Sequence, residues 1–358
     1  MRQRELDHVI VYGANRNGSA VPWLTRWPVT REALAVITPG EQHVLLVNFY
    51  NHVPNAIRIA TDAEVRHAGE KPMQTAIDEL RRHHGSKPRV GVIGPLGHRP
   101  YRALERFASH VEPLDADYTR LRLVKSSEEI EWARIGCELS DAGVRALQEQ
   151  ALPGMDEREL GNLCERAWVA RGGTTHIHYF GVTAMDAPTN SVPAQFPSTR
   201  RLEAGDVLAC EVSAAWWDYA GQLLRTFAVS AEPSPLHREL HDVADAAFAA
   251  IFSSLRAGAT AQDVVDASGV IEDAGYTIRD DLVHGFVGGY LPPVLGTRSR
   301  QLEAVPDFTF EAGMTVVVQP NVVTTDERAG VQTGELLLVA SDGAERLHDY
   351  EPGLLRVG

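Results

Sequence analysis

The stretch TVVVQPNVVTTDERAGVQTGELLLVASDGAERL, residues 315–347, contains two apolar runs of strand length, separated by a loop rich in turn residues. The first run ends at Gln319, directly before Pro320, and the second begins at Gly334, beside Glu335. This pattern predicts two β-strands joined by a loop. An amide closes the first strand and a glycine opens the second, so neither of these positions carries a charge.

The composition limits the class of protein. The chain has 358 residues, 44% of them hydrophobic, which is enough for two domains or one large one. Its formal net charge of −14 argues against a nucleic-acid partner, which needs a basic face. Cys137, Cys164 and Cys210 lie far apart without a CxxC pair, which fits a reducing compartment. With no signal-peptide pattern and no run of about 18 apolar residues, we expect a cytoplasmic protein without a membrane segment.

Residues 1–122 alternate between short apolar runs and helical patterns. This alternation predicts an α/β domain. The predicted helices cover residues 72–85 and 99–110. The predicted strands cover residues 8–13, 33–37, 43–49 and 89–94.

A second domain is predicted at 123–358. It begins with a capping box, in which Ser126 is followed three residues later by Glu129. The long helix after this box is followed by a second helix, and Pro235 and Thr260 start two more. The predicted strands cover residues 206–212, 223–230, 314–320 and 335–340.

Several segments of this second domain resemble, in the right order, motifs of the pita-bread family, which includes methionine aminopeptidases, proline-specific aminopeptidases, prolidases and creatinase. The segments are LEAGDVLACEVSAAWWDYAGQLLRTF (202–227), HGFVGGYLPP (284–293), FEAGMTVVVQP (310–320) and GVQTGELLLVASDGAERL (330–347). The resemblance implies an α+β protein, with a curved antiparallel sheet and paired helices in the C-terminal domain. The N-terminal domain then corresponds to the α/β domain of creatinase and prolidase.

The resemblance also places the metal-ligand positions of the family on this sequence. They fall on Glu211, Gln222, His284, Gln319 and Gly334. Two divalent cations need several carboxylates to offset their charge, and here only Glu211 and His284 are ordinary ligands. We therefore predict no metal and no cofactor.

Glu211 and His284 are the predicted catalytic residues. Glu211 lies in an apolar strand, where loss of water raises the pKa of a carboxyl group and suits it to proton transfer. The alternative is a glutamate in a salt bridge at the edge of the core, together with a structural histidine. Side-chain amides on the neighbouring strands are candidates for holding a neutral polar substrate by hydrogen bonds. These amides are Gln222, Gln319, Asn321 and Gln332.

Other candidates for substrate binding come mainly from their positions in the family. His176 and His178 are two apart and share a face if they lie on a regular strand. Creatinase-like dimers imply a homodimer in which the N-terminal domain reaches the partner's pocket. The remaining candidates are Tyr219 and Glu335 in the C-terminal domain and Trp27 and Arg31 in the N-terminal domain.

Four functions are compatible with these residues. The leading expectation is a metal-independent hydrolase that cleaves an amide-like or amidine-like C–N bond in a small polar molecule, for which creatinase is the precedent. The second is a metal-independent lyase or isomerase that uses the same acid–base pair. The third is a binding protein without catalysis. The fourth is a proline-specific metallopeptidase with an unusual site.

Overall fold

A computed structural model of the protein describes residues 1–15, 17–85, 87–301 and 304–358. The chain divides into two compact units, Met1–Arg122 and Leu123–Gly358. Within the described residues, none of the helices combines the length and the apolar character that crossing a membrane requires.

The N-terminal unit is built on a six-stranded mixed sheet. Its strands are β1 (His8–Ala14), β2 (Glu32–Ile37), β3 (Val44–Val47), β4 (Glu64–His67), β5 (Arg89–Ile93) and β6 (His110–Pro113). They follow the order β4-β3-β2-β1-β5-β6, and β1, β2 and β3 pair in antiparallel fashion, whereas the outer pairs are parallel. The helices are α1 (Ala20–Thr25), α2 (Val53–Ile59), α3 (Pro72–His84), α4 (His98–Phe107) and α5 (Asp115–Leu123), with short 3₁₀ turns at Arg2–Arg4 and Tyr50–His52.

Both faces of this sheet are covered, which explains why its central strands are almost continuously apolar. In β1, Val9 and Val11 pack into the cluster on one face, whereas Ile10 packs into the cluster on the other. Leu45 and Leu46 of β3 divide between the two faces in the same way.

The C-terminal unit contains two long helices in sequence, followed later by three more. They are α6 (Ser127–Gln150), α7 (Glu157–Val169), α8 (Pro235–Ser254), α9 (Ala261–Ala267) and α10 (Val270–Asp273). Ser126, Asp156 and Thr260 each form a complete capping box with the acidic residue three positions later. These boxes fix the starts of α6, α7 and α9 because they satisfy backbone N–H groups that a helix leaves unpaired.

Most strands of the C-terminal unit form one large sheet. The strands are β7 (Thr174–Ala184), β8 (Asp206–Trp216), β9 (Tyr219–Val229), β10 (Thr277–Ile278), β11 (Val283–Gly285), β12 (Leu291–Leu295), β13 (Thr315–Val318), β14 (Val322–Val323), β15 (Gly334–Val339), β16 (Ala344–Arg346) and β17 (Leu354–Val357). The sheet has nine strands in the order β12-β11-β13-β15-β9-β8-β7, with β16 beside β15 and β17 beside β9. All of its pairs are antiparallel except β17 with β9, and β10 and β14 form a separate pair.

The helices of this unit cover one side of the sheet in two groups. Side chains of α6 and α7, including Trp168, pack against β8 and β9 through residues such as Val212 and Phe227. Side chains of α8 and α9 pack against β11 and β13 through residues such as Val283 and Val316. The observed α+β architecture, with paired helices on a curved antiparallel sheet, confirms the predicted fold class.

Candidate functional site

Glu211 lies in the middle of β8 and points away from α6 and α7. Its neighbours Cys210 and Val212 belong to the core between the sheet and those helices, and side chains alternate along a strand. The register places Tyr179 of β7 and Leu224 of β9 directly opposite Glu211. Glu211 and Tyr179 therefore share the face of the sheet that α6 and α7 leave free.

Two glutamines connect Glu211 to the neighbouring strands. Gln222 Nε2 donates to Glu211 Oε1 at 2.8 Å and to Gln319 Oε1 at 3.1 Å. Gln319 Nε2 donates in turn to the backbone carbonyl of Asp281 at 3.1 Å. We call this row the amide row: Glu211, Gln222 and Gln319, ending on the carbonyl of Asp281.

His284 of β11 lies at the far end of the amide row. Its Nδ1 is 3.2 Å from the carbonyl oxygen of Gly285, which can only accept, so Nδ1 carries the proton and Nε2 is the acceptor of the neutral ring. Nε2 lies 4.0 Å from Asp281 Oδ2. Tyr290 stacks on the imidazole with the ring centroids 4.3 Å apart, and Phe286 meets it edge-on at 5.5 Å.

Burial sets the protonation of these groups. Burial, with the nearby charges of Asp280 and Asp281, raises the pKa of Glu211 from 4.5 to about 8. Burial, with a hydrogen bond to Asp281, raises the pKa of Asp280 to about 7. Burial lowers the pKa of His284 from 6.5 to about 4. At neutral pH, Glu211 is therefore mostly a protonated acid and His284 a neutral base.

Three residues of this neighbourhood were not among the sequence candidates. Tyr179 and Tyr290 have raised pKa values, first because of burial and then because of nearby carboxylates. Asp281 hydrogen-bonds with Asp280 and faces His284. The acidic pair directly before β11 was visible in the sequence, but the tyrosines reach the site through strand pairing and ring stacking, for which no local signal exists.

Gly334 occupies a position where a side chain does not fit. Its φ is 150°, and a Cβ there would lie 2.3 Å from the carbonyl oxygen of Val318 and 2.7 Å from Gln319 Cα. It lies opposite Leu224, which also faces Glu211 across the strands. A glutamate at this position would therefore require the strands to move apart.

Glu335 points to the other face of the sheet, so the structure does not bring this substrate-binding candidate to the site. It lies opposite Leu223, and neighbours on a strand face opposite ways. Its carboxylate is fully buried and pairs with Arg225 Nη2 at 2.9 Å and Arg346 Nη2 at 2.7 Å. These two cations hold the pKa of Glu335 low despite its burial.

The two histidines of β7 do not share a face, contrary to the expectation for a regular strand. A β-bulge shifts the register between Thr175 and Ile177, so His176 is the extra residue. His178 Nε2 lies 3.0 Å from Glu165 Oε1 of α7, on the helix side of the sheet. The structure therefore does not bring His178 to the amide row.

His176 is exposed and lies at the rim of the site. Its ring meets Phe286 at a centroid distance of 5.8 Å, and Phe286 in turn contacts His284. Tyr219 lies elsewhere, since its hydroxyl donates to Glu129 Oε1 of α6 at 3.2 Å. Of these candidates only His176 is near the site.

The remaining candidates are not members of the amide row. Asn321 and Gln332 are fully buried beside β14, in the C-terminal unit. Trp27 is a buried core side chain of the N-terminal unit, and the exposed Arg31 lies over the ring of Phe49. That Trp27 and Arg31 reach a partner's pocket stays a prediction.

Comparison with known proteins gives consistent matches. The model of metallopeptidase family M24 matches residues 131–341. The Xaa-Pro dipeptidase of Pyrococcus furiosus is 24% identical over 275 residues, which cover 74% of this chain and 75% of that protein. An uncharacterized peptidase of Staphylococcus saprophyticus is 27% identical over 250 residues, or 66% of each chain.

Solved structures match over nearly the whole chain. The prolidase from Pyrococcus furiosus has a TM-score of 0.81 at 19% identity and covers 98% of this chain and 99% of its own. An X-Pro aminopeptidase from Thermotoga maritima has a TM-score of 0.84 at 17% identity, with coverage of 99% and 97%. At such identities these structures support the fold alone.

The fold and the matched segment define a hydrolase family that acts on C–N bonds. This chain belongs to metallopeptidase family M24, and the predicted membership of the pita-bread family is confirmed. The expected metal-independent hydrolase of a small non-peptide molecule is wrong, because the family and the matched relatives are peptidases. The alternative of a proline-specific metallopeptidase with an unusual site fits these findings better.

The residues of the site do not fit a two-metal centre. Gln222 directs both N–H groups of its amide at oxygen atoms, and Gly334 has no side chain and no room for one. Within the described part of the chain, no group of three or more His, Cys, Asp or Glu side chains is arranged to hold a metal ion. The chemistry of the site must therefore be derived from the chain's own groups.

Proposed function

We propose that this chain hydrolyses a peptide bond in short proline-containing peptides, with Glu211 and His284 as its acid and base. The substrate class is suggested by the relatives, which include the Xaa-Pro dipeptidase of Pyrococcus furiosus. The observation that carries the proposal is geometric: a buried carboxyl begins the amide row, and a buried imidazole lies 4.0 Å from the carboxylate of Asp281, on which the row ends.

Peptide hydrolysis needs one proton removed from water and one delivered to the leaving nitrogen. His284 Nε2 takes the proton from the attacking water, and the nearby Asp281 carboxylate stabilises the imidazolium that results. Glu211 gives its proton to the amine nitrogen as the C–N bond breaks. The water oxygen becomes part of the new carboxyl group, so atoms and charges balance.

Gln222 and Gln319 act as positioning residues in this proposal. Both N–H groups of the Gln222 amide are used, at 2.8 Å and 3.1 Å, so none is left for a developing oxyanion. Their hydrogen bonds hold the Glu211 carboxyl in one orientation. This differs from the substrate-binding role predicted for them from the sequence.

The test is cleavage of a panel of Xaa-Pro dipeptides and longer peptides, followed by mass spectrometry of the products. We expect Glu211→Gln and His284→Ala each to lower kcat by 10²-fold or more. The matched control is Glu345→Gln, because Glu345 pairs with Arg134 on the surface. Full activity in Glu211→Gln would contradict the proposal.

Metal dependence is measured in the same assay. We expect turnover to be unchanged by a chelator and by added Mn²⁺, Co²⁺ or Zn²⁺, since Gln222, Gln319 and Gly334 supply no charge to hold them. Activity that the chelator abolishes and Mn²⁺ restores would contradict the assignment of Glu211 and His284 as the acid and base.

A second candidate is a peptide-binding protein without catalysis. The saturated amide of Gln222 favours it, because an engaged amide leaves the reaction without that oxyanion donor. Calorimetry that detects peptide binding, with no products after long incubation, would support this candidate. The homodimer and the cytoplasmic location are also part of the proposal, and light scattering of the purified chain tests the homodimer.

A further inference from the structure

Two buried amide side chains near the proposed site have unused hydrogen-bonding atoms. Asn321 is 0% exposed and Gln332 is 1% exposed. Among the described residues, no hydrogen-bond partner exists for the amide nitrogen or the amide oxygen of either side chain. Buried polar groups are nearly always paired, so these atoms need an explanation.

The backbone brings the residues that carry these two amides into the same hairpin. Val331 N donates to Val322 O at 3.0 Å and Thr324 N donates to Ala329 O at 2.9 Å, which defines an antiparallel hairpin. The ladder ends at Val322, whose N–H donates to Pro320 O at 2.9 Å. Asn321 and Gln332 are therefore the residues next to the last cross-strand bond of the hairpin, one on each segment.

Ser191 packs against the same hairpin. Gly330 and Gln332 are two residues apart, and a Cβ on Gly330 would lie 2.2 Å from the carbonyl oxygen of Ser191. The Ser191 side chain is 3% exposed, and its hydroxyl too is without a hydrogen-bond partner in the described ranges. We call Ser191, Asn321 and Gln332 the amide subsite.

Thr226 connects the amide subsite to the strand of Glu211. The Thr226 hydroxyl accepts from Gln332 N at 2.7 Å and donates to Gln332 O at 2.9 Å. Thr226 lies opposite Ala209, which is two residues before Glu211 on the same face of β8. Two residues of a strand span about 7 Å, so Gln332 contacts the sheet about that far along the strand direction from Glu211, roughly the length of two peptide units.

We propose that the amide subsite binds an uncharged amide group of the substrate, either a C-terminal carboxamide or the next peptide bond. This inference rests on the proposed function for the identity of the substrate. Asn321 and Gln332 are neutral, and each offers both a donor and an acceptor, which matches an amide. A free carboxylate accepts from the amide N–H groups but supplies no donor to the two amide oxygens, and the carboxylates before β11 are close to this strand region.

The experiment compares glycylprolinamide with glycylproline by calorimetry, using the Glu211→Gln chain so that neither ligand is consumed. We expect the carboxamide to bind about tenfold more tightly. Asn321→Leu combined with Gln332→Leu should remove this preference without lowering the melting temperature, because the wild-type amides have no protein partners to lose. If the double variant does not fold, Ser191→Ala is the second test. This smaller change should by itself weaken the binding of the carboxamide.

Equal binding of the two ligands, tighter binding of the free acid, or no binding of either would overturn the inference. A carboxamide preference that survives in the double variant would also overturn it. Failure of the proposed function is a separate result, since it consists of absent cleavage products in the wild-type chain and leaves the binding preference measurable.

Discussion

Arg225, Glu335 and Arg346 form a buried ion cluster on the face of the sheet opposite the candidate site. This cluster allows a direct test of which face of the sheet the Glu335 side chain lies on. Arg225 and Glu335 are each 1% exposed and pair at 2.9 Å, and Arg346 joins Glu335 from the surface side. We expect Glu335→Ala to destabilise the protein, because it leaves the Arg225 guanidinium buried without a counter-charge. Breaking one partner of a buried ion pair costs about 3–5 kcal/mol.

The contacts of Arg225 place the expected loss at the lower end of that range. Its guanidinium also donates to the carbonyl oxygens of Leu224 at 2.9 Å, Gly334 at 3.0 Å, Glu351 at 3.0 Å and Tyr350 at 3.2 Å. These bonds survive the substitution and satisfy most donors, whereas the charge stays uncompensated. We therefore expect a loss of about 3 kcal/mol in the free energy of unfolding.

Urea unfolding of the full chain, followed by tryptophan fluorescence and circular dichroism, measures this loss. The control is Glu345→Ala, which removes an exposed partner of Arg134 at 2.8 Å. Such a surface pair contributes about 0–1 kcal/mol, so the control midpoint should move little.

The opposite pattern would refute the reasoning. If Glu335→Ala unfolded at the same urea concentration as Glu345→Ala but lost peptide binding, Glu335 would have to face the site. The strand register that places Glu335 opposite Leu223 would then be incorrect.

Three further predictions follow from single contacts. Gly334→Ala should lower the free energy of unfolding by more than about 1 kcal/mol in urea melts, because the added Cβ would meet the Val318 carbonyl oxygen at 2.3 Å. The control is Gly343→Ala, because an added Cβ there meets no atom of the described chain within 4 Å beyond its own neighbours in sequence. Glu211→Gln should flatten the pH dependence of stability. Between the ordinary pKa of 4.5 and the raised pKa of about 8, the folded chain keeps a proton that the unfolded chain releases, so wild-type stability falls as the pH rises through this window. Urea melts at pH 5, 6.5 and 8 would show an unchanged slope if Glu211 were ionised in the folded state. Asp156→Ala should cost about 1 kcal/mol by thermal or urea unfolding, since it removes the cap of α7, and a loss near zero would mean that the cap is not formed in solution.

The parts of the fold that could be read from the sequence are those with local signals. The capping boxes at Ser126 and Thr260 are properties of four consecutive residues, and both are present. The helix predicted from Pro235 begins there because proline suits the first turn. The short edge strands Glu64–His67 and His110–Pro113 were missed, since half-exposed polar strands carry no apolar run.

The site was less predictable because it depends on which strands meet. The apolar surroundings of Glu211 in β8 indicated a raised pKa, but Asp280 and Asp281 raise it further only because the fold brings the end of β10 near β8. For His176 and His178, a prediction from local spacing was wrong. Their spacing predicted that both side chains lie on one face of the strand, but a β-bulge, which a single sequence does not reveal, puts them on opposite faces.

The neutral residues of the site make physical sense as a set. Burial, with the nearby charges of Asp280 and Asp281, already raises the pKa of Glu211 to about 8. Carboxylates in place of Gln222 and Gln319 would add like charges to a buried row, and without cations they would push the pKa values up further or drive the strands apart. Amides keep the hydrogen bonds and remove that repulsion. At the third position, Gly334 has no side chain, because Gln319 occupies the space that a side chain would need. A glutamate at Gln222 or Gln319 alone therefore adds an unpaired charge, and a glutamate at Gly334 alone adds a clash. The neutral site thus depends on all three positions together, because the strands that carry them pack against one another.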